Sequence, residues 1–277
     1  MATNIWQSTD GDVNAAGSWS DGIPTANDDC FISGSQAATT NMAALTAIDL
    51  DSFQILPDYT AAWGGSGNQF QISCGSVIHR GAATSQLWWL DGGGLTDHML
   101  IDCPNMTNAA NVDGTSVTRL TCIRGKTTIA GSAALMARLE IGYQTNRSGD
   151  AVVVATAGGG GITLLNQDAG KFTSDVAITT ANVSGGKLIQ DTAAITTLNL
   201  TGGTVDYRHS ALTTVEVHDG AILDMTNVTV PTTVTTVYVY PGGKVFADTN
   251  IVTFTNQFKI GSGEIVYSPF GSGPSQQ

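Results

Sequence analysis

The sequence predicts an all-β fold: a single-stranded parallel β-helix, right-handed, with an N-terminal cap segment. Three observations predict it. Between residues 162 and 246 one short pattern recurs five times, and the glycine closing each copy falls at 170, 186, 203, 220 and 243. Steps of 16, 17, 17 and 23 residues between those glycines mark a solenoid, in which each repeat is one supersecondary unit. Within a copy, apolar and polar residues alternate with period 2, the mark of a strand buried on one face. Finally, no window combines a helical period with caps at both ends. The best helical candidate, Gly131 to Leu139, is short and Ala-rich.

Aligned on the closing glycine, the copies give columns. Two residues after it stand Phe172, Leu188, Val205, Ile222 and Val245. Five before it stand Leu165, Ala181, Leu198 and Val215, and three before it Val183, Leu200 and Val217, with Gln167 breaking the column in the first copy. Between them lie Asn166, Asn182, Asn199 and Glu216, all polar. The Gly-Gly pairs supply corners, because glycine accepts positive φ at little steric cost. Thr and Val, frequent throughout, favour strands. One coil buries too few aliphatic side chains to offset the entropy of ordering its backbone, so only a stacked array is stable. The hexapeptide spacing of left-handed helices is absent, which favours the right-handed form.

Earlier segments follow the plan less regularly. Phe70 to Cys74 with Val77-Ile78, Met99 to Cys103, Leu120 to Ile123, Leu139-Glu140-Ile141 and Val152 to Val154 all read as strands. The predicted organisation is an N-terminal cap and attachment segment at 1–44, a solenoid at 45–268 and a flexible tail at 269–277. The longer last copy implies a loop at Asn227 to Thr232, and Pro231 suits a loop better than a central strand.

The first segment is dense in turns, Trp and Asp. Trp6 and Trp19 are suited to cover the end of the aliphatic stack, since an open coil edge invites edge-to-edge pairing. A competing reading makes Asp10, Asp12, Asp21, Asp28 and Asp29 a Ca²⁺ site, because hard cations want several oxygens. These residues lack the ordered spacing of an EF-hand loop, and no cofactor or metal is expected. Trp88-Trp89 places one ring inside and one outside a strand, and the outer ring suits a subunit interface.

Composition excludes some functions. The net charge is −12 and the pI about 4.4, so a basic nucleic-acid groove is not expected. No apolar stretch is long enough to span a bilayer as a helix, and no signal segment opens the chain, so no membrane partner is expected. The four cysteines, Cys30, Cys74, Cys103 and Cys122, have no metal-type spacing and read as free thiols in an interior column. A disulfide between Cys103 and Cys122, 19 residues apart, stays open as an alternative.

A search for catalytic carboxylates finds no ladder. Asp206 stands three after its glycine and Asp224 four after, which places them on opposite faces. Asp191 and Asp248 share a position, but Arg208 and Met225 fill the coils between. His79, His98, His209 and His218 form no triad or metal set, so no enzyme activity is expected. The outward columns of the repeat read as mixed, which directs attention to its edges.

The run Gly17-Ser18-Trp19-Ser20-Asp21-Gly22-Ile23-Pro24-Thr25-Ala26-Asn27-Asp28-Asp29, with Leu50 to Thr60 after it, resembles the start of β-helical virion proteins of tailed bacteriophages. The likeness covers about the first 130 residues at motif level. It implies a structural virion protein, most readily a capsid decoration or cement protein assembled in the host cytoplasm. Its implied partners are the major capsid protein or another virion protein, and sister subunits in a homotrimer. Interface residues expected on this reading are Trp6, Trp19, Asp21, Pro24, Trp88, Trp89 and Pro231. The alternative it carries is a tail spike that binds or depolymerises host polysaccharide.

Overall fold

A computed structural model of the chain describes residues 2–7, 10–64, 70–81, 87–89, 96–104, 110–113, 117–130, 135–142, 151–156 and 160–268. It is a β-solenoid of about 10 turns, with 62% of the residues in strands. The strands stack into two long parallel sheets. A front sheet runs from Thr3–Ile5 through Asp29–Ile32, Leu45–Ile55, Ile72–His79, Thr96–Asp102, the first part of Val117–Ala130, and Leu135–Ile141. It continues through Gly161–Gln167, Ala177–Val183, Ile195–Leu200, Ala211–Val217 and Thr232–Val239 to Val252–Lys259. A back sheet stacks the shorter strands, from Leu87–Trp89 to Glu264–Ser268. The weak helical candidate Gly131 to Leu139 overlaps the strand Leu135–Ile141.

Parallel stacking starts earlier than the expected boundary at 45. Thr3 pairs with Asp29, and Asp29 with Ser52, so the first segment both stacks and caps. The cap works through rings and through the strand edge. Trp6 meets Trp19 and Trp63 edge-on, each at 5.1 Å between centroids, and Phe53 and Phe70 continue the cluster into the core. The outer edge of Thr3–Ile5 is occupied, because Ser20 N donates to Ile5 O at 2.9 Å and Ile5 N donates to Ser20 Oγ at 2.9 Å.

The other end finishes differently. In the last coil, Gln257 and Lys259 replace the inward Val237 and Val239, and Tyr267 replaces Ala247. The Tyr267 hydroxyl donates to Gln257 Oε1 at 2.9 Å, closing the aliphatic columns with a polar layer. Phe258, Ile260 and Tyr267 are nonetheless exposed there.

The predicted inward columns are buried, Gln167 included. Its amide Nε2 donates to Gly170 O at 3.2 Å, which is how a polar residue is tolerated in the column. One column assignment changes. Thr204 pairs with Ile222, Val205 with Leu223 and Asp206 with Asp224. Leu223, not Ile222, is therefore the buried residue. The reason lies at the corner. Ala221 occupies the place of Gly203, and Lys244 N donates to its carbonyl at 3.0 Å. Positive φ moves back one residue to Gly220, at +72°, while in the coil before it is the stacked Gly203 that has φ +72°.

All four cysteines are free and buried. Cys122 faces Ile101, not Cys103, because these two strands are offset by 21 residues, Met99 pairing with Leu120 and Ile101 with Cys122, and not by 19. The Cys103 thiol donates to His79 O at 3.2 Å. Burial pushes each of the four thiols up to about 12, so none is a ready thiolate.

Two measurements check this fold. An aromatic disulfide reagent is expected to titrate no thiol in the native protein and four after denaturation. Gly203→Ala is expected to lower Tm more than Gly220→Ala. Both place a side chain at positive φ, costing about 1–2 kcal/mol. Only at Gly203 would the new Cβ also meet a backbone oxygen of the coil below, Gly186 O, at 2.6 Å; at Gly220 it meets nothing within 4 Å.

Candidate interaction face

The front sheet presents a continuous outer face, and the register fixes its columns. One column runs Asp29, Ser52, Ser76, His98, Arg119, Arg138, Leu164, Thr180, Thr197, Thr214, Thr236 and Asn256. Two residues further along each strand lies a second, including Thr121, Glu140, Asn166, Asn182, Asn199, Glu216, Tyr238 and Phe258. Beside the first column, Thr163, Thr179, Thr196, Thr213, Thr235 and Thr255 are all exposed. The threonine columns of the front sheet are thus regular, while the second column passes from Asn to Glu216, Tyr238 and Phe258 and is mixed, as the sequence implied. After the inward Ile178 both Thr179 and Thr180 are turned away from the core, the first exposed and the second half-buried, and period-2 counting does not reveal that.

Along the axis the face changes character. The first coils carry carboxylates. Asp49, Asp51 and Asp97 line a groove of about 330 Å³ with Asn27, Leu50, Ser73 and Gly75. Next comes a cationic level built on Glu140, whose side chain is 0% exposed. Arg119 donates to Glu140 Oε2 from Nε at 3.0 Å and from Nη2 at 2.6 Å. Thr121 donates to the same oxygen at 2.8 Å, and Arg138 Nη2 lies 2.6 Å from Oε1. With its proton given to Glu140, the Thr121 hydroxyl oxygen accepts from His98 Nε2 at 3.0 Å. Burial works to raise the Glu140 carboxyl, but hydrogen bonds from Arg119 and Thr121 and both guanidinium charges hold it below the usual carboxylate range. Burial and the Arg119 charge together lower His98.

Above this level the face is neutral. Asn182 Nδ2 donates to Asn166 Oδ1 at 2.9 Å, and Asn199 Nδ2 to Asn182 Oδ1 at 2.8 Å. The last coils carry rings. His218 stacks on Tyr240 at 4.2 Å and 7°, and Tyr238 on Phe258 at 4.9 Å and 14°. Ring faces turned on one another leave edges outward, a poor platform for stacking a sugar ring.

The residues predicted from sequence are scattered. Trp6, Trp19 and Pro24 are buried in the N-terminal end, and Asp21 is exposed on it. Pro231 is exposed, on a loop tied down by Asn227, whose Nδ2 donates to Asp206 Oδ1 at 3.2 Å. Trp88 and Trp89 lie in a back-sheet strand, but their side chains fall outside the described residues. The five aspartates weighed for calcium do not converge. Asp28 accepts from Ala2 N and Thr25 N, Asp12 from Asn14 N and Asn41 Nδ2, and Asp29 from Ser52. Among the described residues no three metal-type groups meet, and no helix there is long and apolar enough to cross a membrane.

Asp206 and Asp224 stand in register on neighbouring coils, not on opposite faces as the glycine alignment implied. Their chemistry differs from an acid–base pair. Burial works to raise Asp206, yet hydrogen bonds from Arg208 and Asn227 and the cationic charge nearby hold it below the usual range. A general acid in such a pair needs a raised value.

Glu140→Ala is expected to lower stability by about 2–3 kcal/mol, below the usual cost of orphaning a buried charge because both arginines can turn to water. A carboxylate depressed in the folded state adds stability that is present above its unfolded value and lost as pH falls through its folded value. Chemical denaturation at pH 7 and below pH 4 should therefore show a smaller acid loss for Glu140→Gln than for wild type. Comparisons with protein-family descriptions, curated proteins and solved structures each return no match.

Proposed function

We propose that the chain is a non-enzymatic structural protein of a tailed-phage particle, a capsid decoration or cement protein that acts by contact with the major capsid protein or another virion protein. The observation carrying this reading is the long outer face of the front sheet. Its side chains are held in register by the backbone and, at Glu140 and the Asn166–Asn182–Asn199 ladder, by each other. Such a surface binds with little entropy lost on ordering. The likeness of Trp6 to Asp29 and of Leu50 to Thr60 to phage virion β-helices supports the same reading. Symmetric repetition on a shell turns weak single contacts into strong attachment.

The competing reading is a tail spike acting on polysaccharide, and the in-register pair Asp206 and Asp224 is the observation in its favour. The hydrogen bonds that hold Asp206 ionised weigh against it. Two assays separate the readings. Added to particles made without it, the purified protein is expected to restore density on the shell in electron micrographs. It is expected to release no reducing sugar from host envelope polysaccharide. Failure to bind such particles would sink the proposal, and sugar release would favour the spike.

A further inference from the structure

We infer that the lower half of the front-sheet face is a self-complementary docking surface for a second copy of this chain, related by a two-fold axis. The argument starts from charge. In a chain of 277 residues with only 11 Lys and Arg, two arginines stand in register on adjacent coils, Arg119 facing Arg138. They share one carboxylate, Glu140, and their side chains remain 38% and 39% exposed. Two guanidinium charges against one carboxylate leave one positive charge over.

A complement lies on the same face, toward the N-terminal end. In the column beside Arg119, the positions two and three coils below its neighbour Arg138 hold Asp97 and Gly75, followed by Asp51. Coils repeat at about 4.8 Å, so Asp51 and Asp97 flank the bare Gly75 about 10 Å apart. The result is the groove described above, with Asp51 and Asp97 on either side of Gly75 and with Asn27, Leu50 and Ser73 also lining it. A planar guanidinium with several donors fits a slot bounded by carboxylates.

The order of levels selects the symmetry. Copies packed in parallel about a shared three-fold axis would set arginine level against arginine level and carboxylate level against carboxylate level. Any three-fold contact therefore uses another face. Two copies packed antiparallel about a two-fold axis along the strand direction at the Asp97–His98 level put Arg119 of each over Ser76 of its mate, beside Gly75, and Arg138 over Ser52, beside Asp51. Asp97 of each then meets Asp97 of the mate, with an Arg119 guanidinium one coil away on either side to offset the repulsion. In an isologous contact residue i meets j and j meets i, and this strip is complementary in that sense. His98, lowered by burial and by Arg119, adds no charge at the axis. The contact covers the lower coils of the face on which the shell reading rests, but its readout is the oligomeric state of the free protein, so its failure and the failure of the shell assay are distinguishable.

Analytical ultracentrifugation of the full chain tests it. The wild type is expected to be a dimer at low ionic strength that dissociates as salt is raised, because exposed pairs are screened within about 8 Å at physiological salt. Asp51→Lys with Asp97→Lys changes two exposed side chains and should give a monomer with an unchanged strand signature in circular dichroism. As a second measurement, Asp97→Cys should oxidise to a covalent dimer, while Asp21→Cys on the N-terminal end should not; the native thiols are buried and silent. A wild type that is monomeric or trimeric at low salt would overturn the inference. So would a double-lysine variant that dimerises as tightly as wild type, or an Asp97→Cys protein that fails to cross-link.

Discussion

Backbone hydrogen bonds between equivalent positions of successive coils hold this molecule together, and every side-chain arrangement follows from them. The corner carbonyls show the constraint most directly. Gly170 O accepts from Lys187 N at 2.9 Å, Gly186 O from Thr204 N at 3.0 Å, and Gly203 O from Ile222 N at 3.0 Å. Close approach at these corners excludes a Cβ, which is why glycine recurs there. Once the corners are fixed, each inward position meets the same position above and below it. A polar residue in an inward column must then find a local partner, as Gln190 does with Val176 O and Ala193 O, both at 2.8 Å.

The same stacking creates two ends, and the sequence treats them differently. At the N-terminal end the chain doubles back, so Ser18 and Ser20 occupy the hydrogen-bonding edge and three indoles seal the core. Covering an edge in this way blocks pairing with another chain. At the other end nothing among the described residues folds over Val252–Lys259. Polar residues in the inward columns moderate that edge instead. Strand addition is thus closed at the N-terminal end, while the two sheet faces run the length of the stack.

How far the sequence could be read depended on how regular the coils are. The columns Leu165–Ala181–Leu198–Val215 and Asn166–Asn182–Asn199 were legible because three corners in succession have the same length and the same glycine geometry. The fourth corner moved positive φ from the closing residue to the one before it, and Ala221 took the glycine's place. Glycine spacing alone cannot reveal that shift, and it reversed the face assigned to Asp224. Below residue 160 the coils are irregular, with bulges after Leu45 and Ile101. Setting Leu120 against Leu139 would bring Arg119 beside Arg138 and Thr121 beside Glu140, but the short apolar runs of these irregular coils do not fix that register by themselves. The buried indoles were legible as a cap, because Trp so near the start of an aliphatic stack has an obvious use. That Thr3–Ile5 also joins the ladder was not, since a three-residue strand carries almost no periodic signal.

Low charge content gives each unpaired charge more weight. Arg124 is closed on Asp102 through Nε and Nη2, and Arg208 on Asp206, so these side chains present neutral pairs to the surroundings. Asp49, Asp51 and Asp97 form no ion pair among the described residues, while Arg119 and Arg138 divide one carboxylate between them. On a flexible surface such charges would find one another within the chain. Here the sheet spaces them by whole coils, and Glu140 holds the arginines at their own level. Water and salt ions screen such exposed charges, and in the proposed contact they would meet a surface whose charges run in the opposite order. Because the order is set by the direction of the coils, the orientation of the proposed partner would follow from the same hydrogen bonds that build the solenoid.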